Sequence, residues 1–121
     1  MATLNTKLVL TSTDTSGNAL DLTTTDALTV TQPIVDVAQT SIATGSAQSL
    51  IASNSAYSYV YIRVVSGANS SDFLQVLIAG AASLKLRVGE FCWLPLYNAK
   101  AITAESYGGA CVVEYGYWSI A

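Results

Sequence analysis

Hydrophobic and polar positions alternate along this chain with a period of two, the pattern of strands that bury one face. The clearest run is Tyr57-Ser58-Tyr59-Val60-Tyr61-Ile62-Arg63-Val64-Val65. Val60, Ile62 and Val64 fall on one face; Tyr57, Tyr59, Tyr61 and Arg63 fall on the other. β-Branched and aromatic side chains of this kind suit a pleated surface. Turn formers from Ser66 to Asp72 follow, and Phe73 to Ile78 predicts the next strand, ended near Gly80. Leu84-Lys85-Leu86-Arg87-Val88 alternates strictly, with its two bases outward. Gly89-Glu90 predicts a turn, and Phe91 to Leu96 a strand in which Pro95 marks an edge or an end. Ala101 to Ala104 predicts a short strand. Gly108-Gly109 then turns the chain into a last strand, Ala110 to Ile120.

The first third is richer in Thr, Ser and Asp and poorer in large apolar residues. Lys7 to Thr11, Ala19 to Thr23 and Ala27 to Thr31 predict three strands, with a turn at Ser16-Gly17-Asn18. Pro33 limits further pairing, and Gly45 breaks the segment that follows. No segment has a helical face and no period of 20–50 residues repeats. Eight or nine short strands with frequent turns predict an all-β antiparallel sandwich, jelly-roll-like in the first instance and immunoglobulin-like in the second. Residues 1–36 are expected as a Thr-rich segment, either a subunit-contacting arm or outer strands, and residues 37–121 as the sandwich domain. Its expected core is Val60, Ile62, Val64, Leu74, Val76, Ile78, Leu84, Leu86 and Val113.

Composition narrows the function. Of 121 residues, 51% are hydrophobic and only 11% charged, where about 25% charged is usual, so a disordered chain is excluded. Serine and threonine, 27 residues, supply polarity without charge. Five basic residues and a net charge of −3 argue against a nucleic-acid partner. No basic stretch precedes an apolar one as in a signal peptide, and no apolar run reaches the ~18 residues of a membrane helix, so no membrane partner is expected. There is no histidine, which removes the commonest general base and metal ligand. Cys92 and Cys111 lack CxxC spacing and read as buried free thiols, with a disulfide between them as the alternative. Glu90, Glu105 and Glu114 read as solvated carboxylates, not as a glycosidase pair. Asp14, Asp21, Asp26 and Asp36 lack the spacing of a calcium loop, and Gly108-Gly109 that of a phosphate loop. No catalytic residue, cofactor or metal is therefore expected.

The aromatic residues, 11 of 121, carry the one functional signal. Tyr57, Tyr59 and Tyr61 share one strand face and Tyr115 and Tyr117 another. Each stripe packs either in a core or at an interface, where tyrosine and tryptophan are enriched. The candidate interface residues are Tyr57, Tyr59, Tyr61, Arg63, Trp93, Tyr115, Tyr117 and Trp118. An aromatic platform for a carbohydrate is the alternative use.

The stretches Tyr59-Val60-Tyr61-Ile62-Arg63, Gly89-Glu90-Phe91, Leu94-Pro95-Leu96 and Val113-Glu114-Tyr115-Gly116-Tyr117-Trp118 together resemble small virion structural proteins of tailed bacteriophages. The resemblance spans residues 55–120 and is one of layout, not of catalytic signature. It implies a non-enzymatic capsid decoration (cement) protein, a dimer or trimer on the shell, whose partner is the major capsid protein or another virion protein. Made in the host cytoplasm, it would reside in the virion. Tail-tube, connector and fibre- or baseplate-associated roles, and a carbohydrate- or receptor-binding sandwich, are the alternatives.

Overall fold

A computed structural model describes residues 2–12, 20–30, 37–52, 57–96 and 100–119. Ten strands are found among them: β1 (Ala2–Thr11), β2 (Asp21–Val30), β3 (Ala38–Ile42), β4 (Gln48–Ile51), β5 (Tyr57–Gly67), β6 (Phe73–Ile78), β7 (Ala81–Arg87), β8 (Phe91–Pro95), β9 (Ile102–Tyr107) and β10 (Cys111–Ser119). The eight strands from β3 onward form two four-stranded sheets, ordered β3-β10-β5-β8 and β4-β9-β6-β7. Their hydrogen-bonded pairs nest: β6 with β7, β5 with β8, β4 with β9 and β3 with β10, all antiparallel. One long hairpin folded over on itself generates this order, which is the jelly roll. The fold class is thus an antiparallel β-sandwich, as the alternating pattern predicts.

The core lies between the sheets. Val60, Ile62, Val64, Leu74, Val76, Leu86 and Val113 are buried there, as expected, beside Ile42, Leu50, Ile51, Ile102 and Cys111. Ile78 and Leu84 pack against this core but stay only partly buried, because they lie toward the turn end of the β6–β7 hairpin. That hairpin turns through Ala79 and Gly80 alone, both at positive φ (53° and 84°), the two-residue geometry whose twist matches the strands. Ser106 ties the sheets together: its hydroxyl donates to the Ile42 carbonyl (2.8 Å) and accepts from the Cys111 N–H (3.3 Å). The buried Asp72 carboxylate accepts the Asn69 N–H (2.9 Å), closing the β5–β6 turn. It lies against the Gly108–Gly109 turn, where a Cβ on Gly108 would come within 2.5 Å of it.

Several boundaries differ from expectation. The strands β3 and β4 replace a stretch with no predicted strand. Only Ile42, Leu50 and Ile51 are buried in them, so neither presents a long alternating run. The two strands expected over residues 19–31 are one, Asp21–Val30, because Thr24 to Asp26 continue the ladder opposite Leu8 to Thr6. The strand expected at Ala101–Ala104 runs to Tyr107, carried by its pairing to β6. The turn expected at Ser16-Gly17-Asn18, Pro33, Asp14, Asp36 and Ile120 lie outside the described residues.

The strands β1 and β2 pair only with each other, in a continuous ten-residue register from Ala2↔Val30 to Thr11↔Asp21. This ribbon has two chemically different faces. One carries Leu4, Leu8, Leu10, Leu22, Leu28 and Val30, interrupted by Thr6, Thr24 and Asp26; the other carries Thr3, Asn5, Lys7, Thr23, Thr25 and Thr29, with Val9 and Ala27 among them. At the Ala2–Val30 end the leucines are covered: Val30 is fully buried and Leu4 and Leu28 partly so. Farther out, Leu8, Leu10, Leu20 and Leu22 are 42–51% exposed.

Candidate functional site

The outward face of the β3-β10-β5-β8 sheet gathers most of the candidate interface residues. Strand alternation places Tyr59, Tyr61 and Arg63 of β5 opposite Pro95, Trp93 and Phe91 of β8. On the other flank the same three residues face Trp118, Gly116 and Glu114 of β10. Tyr59 stacks on Trp93 (centroids 5.6 Å apart, planes 11° apart), and Trp93 meets Trp118 at 5.4 Å, tilted by 47°. Trp118 is 8% exposed, and its Nε1 is buried with no hydrogen-bond partner among the described residues.

Polar contacts fix the edge of this layer. The Tyr61 hydroxyl donates to Glu114 Oε1 (2.9 Å), and Gln39 Nε2 donates to Glu114 Oε2 (3.4 Å). Burial, followed by the hydrogen bond to and charge of Glu114, pushes the Tyr61 phenol above its ordinary value; Arg63 opposes the shift. Arg63 itself is exposed.

Tyr115 and Tyr117 do not join this face. They pair with Ile62 and Val60 and so point to the opposite, core side of the sheet, where both pack against the core cluster. Of Tyr57 only the backbone is described, opposite Ser119. Phe91, not among the expected interface residues, is the most exposed large hydrophobic side chain described, at 59%. Its place beside Trp93 follows from alternation along β8, a signal present in the sequence. A second aromatic cluster was also not foreseen: Phe73 stacks on Tyr107 (5.0 Å), with Lys85 Nζ 4.2 Å above the Phe73 ring, on the outside of the other sheet.

The middle of the β1–β2 ribbon lies beside the first aromatic face. Asn5, Thr6 and Lys7 line a cleft of about 290 Å³ with Tyr61, Phe91, Trp93 and Trp118. Lys7, Leu8, Thr24 and Asp26 flank Phe91 and Trp93 in an adjoining cleft.

Among the described residues the titratable groups do not assemble into a reaction centre. Glu105 and Glu114 lie on the outer faces of opposite sheets, and Glu90 is engaged at its own turn, accepting the Arg87 N–H (2.6 Å). No group of three or more metal-ligating side chains occurs among the described residues. Cys92 and Cys111 are free thiols on the core side, and burial pushes the Cys92 thiol up, which keeps it protonated. What the surface offers is an aromatic contact face, edged by Arg63 and Glu114, beside a ribbon that carries exposed leucines. The chain is therefore a jelly-roll sandwich bearing a two-stranded arm. No protein-family model, curated protein or solved structure matches it.

Proposed function

We propose that this chain is a non-enzymatic structural component of a tailed-phage particle, a capsid decoration protein that bridges neighbouring major capsid subunits. By binding the assembled shell in preference to separated subunits, it would stabilise the shell through mass action. The observation that carries this reading is the arm: a ribbon paired with neither sheet whose leucines are covered at its Ala2–Val30 end and exposed at Leu8, Leu10, Leu20 and Leu22. A two-stranded ribbon alone is marginal in water, so a face of this kind suits burial against another subunit. The aromatic face agrees with it. A sugar platform needs open ring faces, whereas Trp118 is buried and Trp93 is stacked between Tyr59 and Trp118. The jelly roll by itself assigns no role, since one fold hosts many functions.

The test is deletion of residues 1–30, with particle binding and thermal unfolding measured separately. Loss of binding with the sandwich transition retained supports the reading. Unchanged binding, or loss of the sandwich fold, removes the arm from attachment.

A further inference from the structure

We propose that the cleft between the arm and the aromatic face binds a carboxylate on a short apolar stem, held by the Trp118 Nε1–H and the Lys7 ammonium. The proposal goes beyond the reading above and does not depend on it. The cleft, about 290 Å³, is walled by Tyr61, Phe91, Trp93 and Trp118 on the sandwich side and by Asn5, Thr6 and Lys7 on the arm. Aromatic walls with a few polar groups are the usual make-up of a ligand site, and this volume suits one group of side-chain size.

The orphaned donor of Trp118 carries the inference. The residue is 8% exposed, and its Nε1–H is buried with no hydrogen-bond partner among the described residues. An indole can only donate, and buried donors are ordinarily paired, so a ligand here brings an acceptor. Gly116 under the six-membered ring and Trp93 beside it offer no acceptor side chain. The cleft that Trp118 lines is where an acceptor enters.

Charge selects the kind of acceptor. Lys7 is the one charged residue lining this cleft, and neither its ammonium nor the Asn5 amide has a partner among the described residues. The neighbouring carboxylates are engaged elsewhere. Asp26 lines the adjoining clefts, its Oδ1 accepting the Ala27 N–H (2.9 Å), and Glu114 accepts from Tyr61 and Gln39. An ammonium and an N–H together favour an anionic acceptor, because charge-assisted hydrogen bonds are the stronger ones. A phosphate dianion would place a second charge against aromatic rings with one cation to offset it, whereas a carboxylate carries one. The open ring of Phe91, 59% exposed, covers the apolar stem.

Phenylacetate is the probe, with phenylacetamide and phenethylamine as its neutral and cationic counterparts. Heteronuclear NMR of the full-length chain follows the indole N–H resonances; there are two tryptophans, so Trp93→Phe assigns that of Trp118. The expected result is a saturable shift of the Trp118 resonance with phenylacetate, binding of the amide about two- to fivefold weaker, and no saturation with the amine. Lys7→Met, at an exposed position, should weaken phenylacetate by about the same two- to fivefold factor. No saturable shift with phenylacetate, equal affinity for the three probes, or unchanged affinity in Lys7→Met overturns the proposal. Particle binding in the presence of phenylacetate identifies the source of the carboxylate. Release from particles assigns it to an acidic side chain of the partner, and attachment that persists assigns it to a free small acid. A chain that ignores particles but binds phenylacetate keeps this site and removes the virion role.

Discussion

The indole of Trp118 lies over Gly116, two residues earlier in the same strand: a Cβ built on Gly116 would stand 2.9 Å from the ring. Glycine within a strand ordinarily weakens it, so an alanine there should help unless something occupies the space. Here the ring cannot retreat freely, because Trp93 packs against it at 5.4 Å. Gly116→Ala is expected to destabilise the sandwich by about 1–3 kcal/mol, the usual cost of overpacking. Denaturant unfolding followed by tryptophan emission measures it. A stabilised variant would mean that the ring does not rest on Gly116.

The core prediction concerns Ile62, fully buried between Cys92 and Tyr115 on neighbouring strands. Ile62→Ala should cost roughly 2–5 kcal/mol, from lost transfer free energy plus the cavity left behind. A change under about 0.5 kcal/mol in chemical denaturation would show that this side chain faces water instead.

Ala79 holds a positive φ (53°) in the β6–β7 turn, before Gly80. Left-handed backbone costs an alanine roughly 1–2 kcal/mol and an asparagine less, and Asn-Gly is the preferred pair for this turn. Ala79→Asn should therefore raise stability by about 0.5–1 kcal/mol, read as a higher melting temperature. A lower melting temperature would contradict the turn assignment.

The Tyr61 phenol is raised by burial and by Glu114. A group whose folded pKa lies above its unfolded value stabilises the fold below the unfolded pKa, near 10 for tyrosine. That contribution is lost as pH rises from there through the folded value. Ultraviolet titration of the parent chain against Tyr61→Phe should show one phenol ionising late. Glu114→Gln should bring it partway back, because burial remains. A phenol that ionises at or below the ordinary value would contradict the contact.

Strong alternation made the sandwich legible in the sequence. In β5 and β6 the valines, isoleucines and leucines recur every second residue, and those strands lie where the pattern puts them. The strands β3 and β4 were not legible. Their few inward residues take meaning only from β10 and β9 across the ladder. The candidate site was half legible, for the same reason. Alternation groups Tyr59 with Tyr61, but which side of a strand meets the core depends on its neighbours. Pairing to Ile62 and Val60 turns Tyr115 and Tyr117 inward and leaves Trp118 outside with Trp93. The two faces of the arm were hidden because Leu8-Val9-Leu10 reads as unbroken apolar sequence until its register with Thr24-Thr23-Leu22 sorts it.

The central claim is that this chain is a stoichiometric part of a phage particle. Its most direct test is quantitative mass spectrometry of purified particles of the encoding phage, counting copies of this chain per major capsid subunit. The expected result is a fixed, reproducible ratio that persists through repeated sedimentation of the particles. Absence from the particles, or a trace amount that washes away, would contradict it.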